Sequence, residues 1–251
     1  MADLLLRAGN IIPVAKSTVQ GDDVSPQQPL GTISFLNDAY GFRVLEYVHN
    51  ISGAAALKGA LLSRKADLAI TDLVSGTTIS VTDSGLTANT MQGQILYIDD
   101  NADSAGAAPE GESGIITSNT TTTINIDAAR PFTVATAVSD DVRVVYSSAV
   151  VASADGDLTG IARGVVLANG GITNLQYGWI QRYGYCPDVT HKNNACVAGE
   201  PVVSDVSQVN AWGSDAVSLW VGQQVGTFTA DNVHLYSPVL LNLWGFQYPH
   251  S

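Results

Sequence analysis

The sequence predicts a mainly β protein: β-sandwich or β-barrel modules with extended N- and C-terminal arms and at most one short helix. Three observations carry this. Short runs rich in Val, Ile and Thr recur along the chain, and β-branched side chains suit a pleated, half-buried surface. Glycine is frequent, 24 of 251 residues, and supplies the positive φ that tight turns need. No long amphipathic helical period interrupts the pattern.

The elements follow in order. Residues 1–30 read as an N-terminal arm: Leu4, Leu5 and Leu6, then Ile11, Ile12, Pro13 and Val14, are apolar, and the polar stretch Gly21–Pro29 follows. Thr32–Leu36 and Phe42–Val48 are strand-length runs separated by Asn37, Asp38 and Gly41, which mark a turn. Gly53–Ala66 is the one candidate helix; Gly59 interrupts it, and the run also reads as a buried strand.

Thr77–Thr82, Gln94–Ile98, Thr120–Asp127, Thr133–Val138 and Val142–Tyr146 continue as strands, with Asp99–Gly114 a solvated loop. The small, acidic segment Ala152–Gly160 marks a boundary, giving β-rich regions over 31–152 and 153–236. In the second region Ile161–Leu167, Tyr177–Tyr183, Pro201–Val206, Ala216–Val221 and Gln224–Thr229 are strand-length. Residues 237–251 read as a C-terminal apolar arm carrying Leu240, Leu241, Leu243, Trp244, Phe246 and Tyr248. Apolar chain ends fray unless packed, so both arms are the candidate capture surfaces for a neighbouring subunit.

Charge narrows the function classes. A net charge of −12 with scattered Lys and Arg opposes binding to phosphate backbones or anionic lipid. No run approaches the roughly 20 apolar residues of a membrane span. Asp3 precedes Leu4–Leu6 and Arg7 ends the run, which is not the basic-then-apolar pattern of a secretory leader. Two cysteines make no disulfide framework, so maturation in a reducing cytoplasm is expected.

Catalytic signatures are absent: no nucleophile elbow, no phosphate loop, no His-Glu-x-x-His. The four histidines, His49, His191, His234 and His250, are scattered. Cys186, His191 and Cys196 share a loop-like stretch, but three ligands at that spacing fall short of a structural zinc site. Two ordinary thiols are expected there.

Asp99, Asn101, Asp103 and Glu110 stand at positions one, three, five and twelve of a calcium-loop register. Ser104 replaces the turn glycine and Pro109 precedes the closing carboxylate, so tight ion binding is not expected. The reading is therefore of a non-enzyme with no cofactor. Tyr177, Trp179, Tyr183 and Tyr185 form either a strand face packed in a core or a sugar-stacking platform.

Gly160–Val166, Tyr177–Gly184 with its Tyr-Gly-Trp-Ile-Gln core, and Ala198–Val203 together resemble a pattern in small structural proteins of tailed-bacteriophage virions, of the capsid decoration or cement type. Gly41–Val48 and Ala56–Leu62 are similar to their N-terminal halves. The resemblance covers about half the chain. It implies a β-rich protein on the outer capsid surface, assembled in the host cytoplasm, that binds the major capsid protein and forms a dimer or trimer. It supplies no catalytic residue. A receptor- or glycan-binding module of a tail or fibre is the alternative, using Tyr177, Trp179 and Tyr183.

Overall fold

The computed structural model describes residues 21–65, 67–70, 73–74, 80–81, 86–100, 106–136, 140–146, 149–151, 162–191, 195–205, 208–211, 220–228 and 236–243. Among these every regular element is a strand, and the fold is mainly β. The candidate helix Gly53–Ala66 instead contains a bridge at Ala56 and a short strand, Leu61–Arg64. Gly59 explains the outcome. Its φ is +79°, and a Cβ there would stand 2.5 Å from the carbonyl oxygen of Asp188, so the chain turns where a helix would have to continue.

Two compact units form. One comprises Met1–Arg64 and Val150–Ser251; the other is Lys65–Ala149. These limits differ from the expected 31–152 and 153–236. The break near 150 lies close to the expected boundary, whereas the break after Arg64 was not anticipated. Gly31–Arg64 belongs with the C-terminal half because its strands pair with strands more than a hundred residues away, and composition along the chain carries no trace of such pairing.

The first unit opens with β1 (Asp22–Asp23), β2 (Ile33–Asp38), β3 (Gly41–Asn50) and β4 (Leu61–Arg64). The second unit holds β5 (Leu68–Ile70), β6 (Leu73–Val74), β7 (Ser80–Val81), β8 (Ile95–Asp100), β9 (Ser113–Asn119), β10 (Ile124–Ile126) and β11 (Asp141–Val145). The chain returns through β12 (Ala149–Val151), β13 (Ala162–Val166), β14 (Tyr177–Thr190), β15 (Pro201–Asp205), β16 (Gln208–Ala211), β17 (Trp220–Gln224) and β18 (Tyr236–Asn242).

The second unit's main sheet runs β10-β9-β8-β11-β5. Its period-two alternation is clean: Ile98, Val142 and Ile70 are opposite one another and buried, as are Leu96 and Val144.

The first unit's sheet runs β16-β15-β17-β18-β14-β13-β4-β12-β3-β2, and β14 also pairs with β3. The circuit β3–β14–β13–β4–β12 therefore closes on itself. Val48, Leu62, Val166, Ile172 and Ile180 form one core cluster of this unit. Leu61 and Val165, their chain neighbours, point the other way into a second cluster with Val221, Val239 and Leu241.

β14 organises the unit. Its first half pairs with β3 (Tyr177↔His49 through Gln181↔Leu45), and its second half pairs with β18 (Tyr183↔Asn242 through Thr190↔Tyr236). Pro187, which cannot donate to a ladder, sits where the β14–β18 register shifts between Cys186 and Val189, the kind of position a strand proline requires. The expected C-terminal arm is thus a correction: Ser237–Asn242 lies in β18, paired on both sides, with β14 and β17. Residues 244–251 lie outside the described residues.

Candidate functional site

The most concentrated chemistry in the described residues is an ion triad. Glu46, near the middle of β3, has no exposed surface. Arg163 donates to its Oε1 from Nε and Nη2 at 3.1 and 2.6 Å, and Arg182 Nη1 stands 3.1 Å from Oε2. Arg182 Nη2 also donates to the Leu243 carbonyl at 3.0 Å. Burial pulls the Arg182 guanidinium below its ordinary range, and the Glu46 carboxylate opposes that pull.

Both arginines occupy extra positions in the ladder. Ala162 pairs with Ser63 and Gly164 with Leu62, leaving Arg163 without an opposite residue. Gln181 pairs with Leu45 and Tyr183 with Val44, leaving Arg182 likewise unmatched. A bulge re-aims the side chain it inserts, and here two bulges aim at one carboxylate.

Buried Gln181 braces the second bulge. It accepts from Arg43 Nη1 at 3.2 Å and donates to the carbonyls of Tyr183, Gly184 and Tyr185 at 3.2, 3.1 and 3.1 Å. Arg43 in turn meets Asp38 at 2.5 Å. Gly184 has φ +93°, and a Cβ there would strike the Phe42 carbonyl, so β14 comes closer to β3 than any side chain permits.

An aromatic cluster lies beside the triad along β3 and β14. Tyr177 and Trp179 are 3% and 2% exposed, packed with Tyr47, Leu45 and Leu36. They are core, and neither can present a ring to a sugar. The Tyr47 hydroxyl donates to Asp23 at 2.6 Å and accepts from the Gln27 amide at 3.1 Å, tying the segment after β1 down over the cluster. Burial, then Asp23, pushes the Tyr47 hydroxyl well above the usual phenol range.

His49 stacks on Tyr177 with ring centroids 4.4 Å apart, and burial lowers its pKa from 6.5 to about 4. The unfolded chain therefore takes up this proton first as pH falls. The contribution of His49 to stability is fully present above pH 6.5 and is lost as pH drops through the folded pKa near 4, by roughly 3 kcal/mol at 1.36 kcal/mol per unit. Urea midpoints measured from pH 7 to 4 will fall for the native chain, and His49→Gln will flatten that slope. Asp22 accepts from the Thr173 amide, which holds its carboxyl below 3.8, so its contribution is lost only at lower pH.

The remaining candidates resolve differently from a site. Cys186 lies within β14 and Cys196 bridges Phe228; they are free thiols in one core cluster, each pushed up to about 12 by burial. His191 is buried and stacks on Phe228 at 4.2 Å. In the acidic stretch, Asp99 is paired with Arg143 at 2.9 Å, and the Glu110 carboxylate accepts from the Gly106 amide. Asn101 and Asp103 lie outside the described residues.

Of the expected contact residues, Leu4, Leu5, Leu6, Ile11, Ile12, Trp244, Phe246 and Tyr248 also lie outside the described residues. Leu241 and Leu243 are core, 0% and 1% exposed, because they share the face of β18 that carries Val239. Leu240 is 45% exposed on the opposite face. There it is opposite Tyr185 of β14, which stacks on the exposed Tyr40 at 5.7 Å. Tyr236 and Val225 are exposed nearby, and Pro238 is half-buried between Tyr236 and Leu240 in sequence.

One side of β14 and β18 is thus core, and the other is an open aromatic and aliphatic face. Tyr40, Tyr185 and Tyr236 were missed as contact candidates. The alternation Tyr236, Pro238, Leu240 against Ser237, Val239, Leu241 is the available signal, masked by the apolar content of residues 237–251 as a whole.

No family model, no curated protein and no solved structure matches this chain.

Proposed function

We propose that the chain is a decoration or cement protein of a tailed-bacteriophage head, bound to the outer surface of the major capsid protein. The observation that carries the reading is the open face around Tyr40, Tyr185 and Leu240. An exposed apolar face backed by a rigid sheet is what a protein docking onto another protein surface presents. The resemblance in Gly160–Val166, Tyr177–Gly184 and Ala198–Val203 supplies the kind of partner. Apolar area buried there contributes about 25 cal/mol per Å² before the costs of association.

The test is co-sedimentation of the purified chain with phage heads stripped of it. Saturable binding is expected. Leu240→Glu should weaken binding by about ten-fold or more, equivalent to at least about 1.4 kcal/mol, with an unchanged melting temperature. Failure to bind heads, or electron microscopy that locates the chain on the tail, overturns the reading.

A further inference from the structure

We propose that Glu46, with Arg163 and Arg182, is a register lock that decides which side of β14 faces the core and which faces outward. The three residues act as positioning residues: they work by holding two bulges in place. The significance for docking rests on the function proposed above; the register claim stands on the geometry alone.

The reasoning starts from the period of a strand. A slip of one residue moves every side chain to the opposite face. Along β14, Arg182 is the inserted residue, and everything after it depends on that insertion being kept. With the bulge in place, Cys186 and Val189 enter the core cluster, while Tyr185 turns outward beside Leu240 and Tyr40. Without it, Tyr185 would be driven inward and Cys186 outward.

The ladder to β13 does little to prevent such a slip. β13 contacts β14 through only two paired positions, Val165↔Gln181 and Val166↔Ile180, and it carries a bulge of its own at Arg163. A single carboxylate with no exposed surface accepts from Arg163 and is ion-paired with Arg182, so a slip in either strand strips it of a partner. A buried ionic group that is costly to leave unpaired in any competing register specifies the native one. Apolar residues of the same volume would fill the space equally well in either register.

The two buried thiols provide the test, since both belong to the same core cluster but only Cys186 is on β14. Full-length native chain and two variants, Glu46→Gln and the apolar triple Glu46→Leu, Arg163→Met, Arg182→Met, are treated with a thiol reagent under native conditions. Modification at each cysteine is then quantified by peptide mass spectrometry. In the native chain both thiols should react slowly and together. In the variants Cys186 should react at least about ten-fold faster relative to Cys196, because local exposure of one strand is distinct from opening of the whole cluster.

Equal acceleration of both cysteines means general destabilisation and overturns the lock; so does a folded variant with the native ratio. Should the triple variant fail to fold, Glu46→Gln alone decides by the same ratio. No capsid is needed, so this outcome and that of the docking test are independent.

Discussion

Glu46→Ala is expected to lower stability by about 3–5 kcal/mol, the usual cost of removing one partner from a buried ion pair. Two guanidinium groups lose their shared counter-charge at once. Arg163 and Arg182 have side-chain exposures of 23% and 18%, so both retain some access to water, which moves the expected loss toward the lower end of that range. The effect is asymmetric. Replacing all three residues by apolar ones of similar size removes the buried charge along with its partners, and such replacements are often neutral or stabilising. Urea denaturation followed by far-ultraviolet circular dichroism checks both statements: a large fall in midpoint for the single variant, a much smaller one for the triple. A Glu46→Ala midpoint within error of the native chain would show that the triad carries no net energy.

Trp179→Ala is expected to cost about 3–5 kcal/mol, the range for truncating a large buried aromatic. Trp179 is 2% exposed and tilts against Tyr47 at 5.1 Å, with Tyr177 completing the cluster, so the vacated space is walled by side chains that cannot readily collapse into it. The same substitution would be nearly silent if the ring stood on the surface as a stacking platform. Tyr183, 40% exposed on the same strand, makes the contrast: Tyr183→Ala should stay within about 0.5 kcal/mol of the native chain. Thermal melts of the two variants side by side decide whether Trp179 is core.

The β class was legible because it depends on local signals. Val, Ile and Thr runs with Gly, Asn and Asp between them marked β2, β3, β8 and β11, and the Asn37–Gly41 turn lay where it was expected. What remained hidden depends on pairing across long distances. Gly53–Ala66 reads as either a helix or a buried strand, and the turn at Gly59 together with β13, which supplies Val165 opposite Leu61, decides for the strand. The C-terminal arm looked free because six apolar residues near a chain end suggest an unoccupied surface. β14 and β17 occupy one half of it instead, turning Leu241 and Leu243 inward and leaving Leu240 outside. Bulges are hidden for the same reason. Arg163 and Arg182 are ordinary charged residues in the sequence, and nothing local announces that each is one residue too many for the strand opposite.

The insertion of Lys65–Ala149 has a consequence for how this chain can vary. Its two ends emerge from β4 and β12, where Val150 pairs with Arg64 and Val151 with Ser63. In topological terms the whole second unit is an overgrown hairpin loop, and its stem is already closed by hydrogen bonds. Entropy penalises such growth weakly, at about 0.6 kcal/mol per doubling of loop length, and a segment with its own core offsets even that. The scaffold can therefore exchange this cassette for a longer one, a shorter one or a two-residue turn without redrawing β3, β13 or β14. Related chains that keep the Glu46–Arg163–Arg182 constellation while differing wholly between the equivalents of Arg64 and Val150 would share this frame.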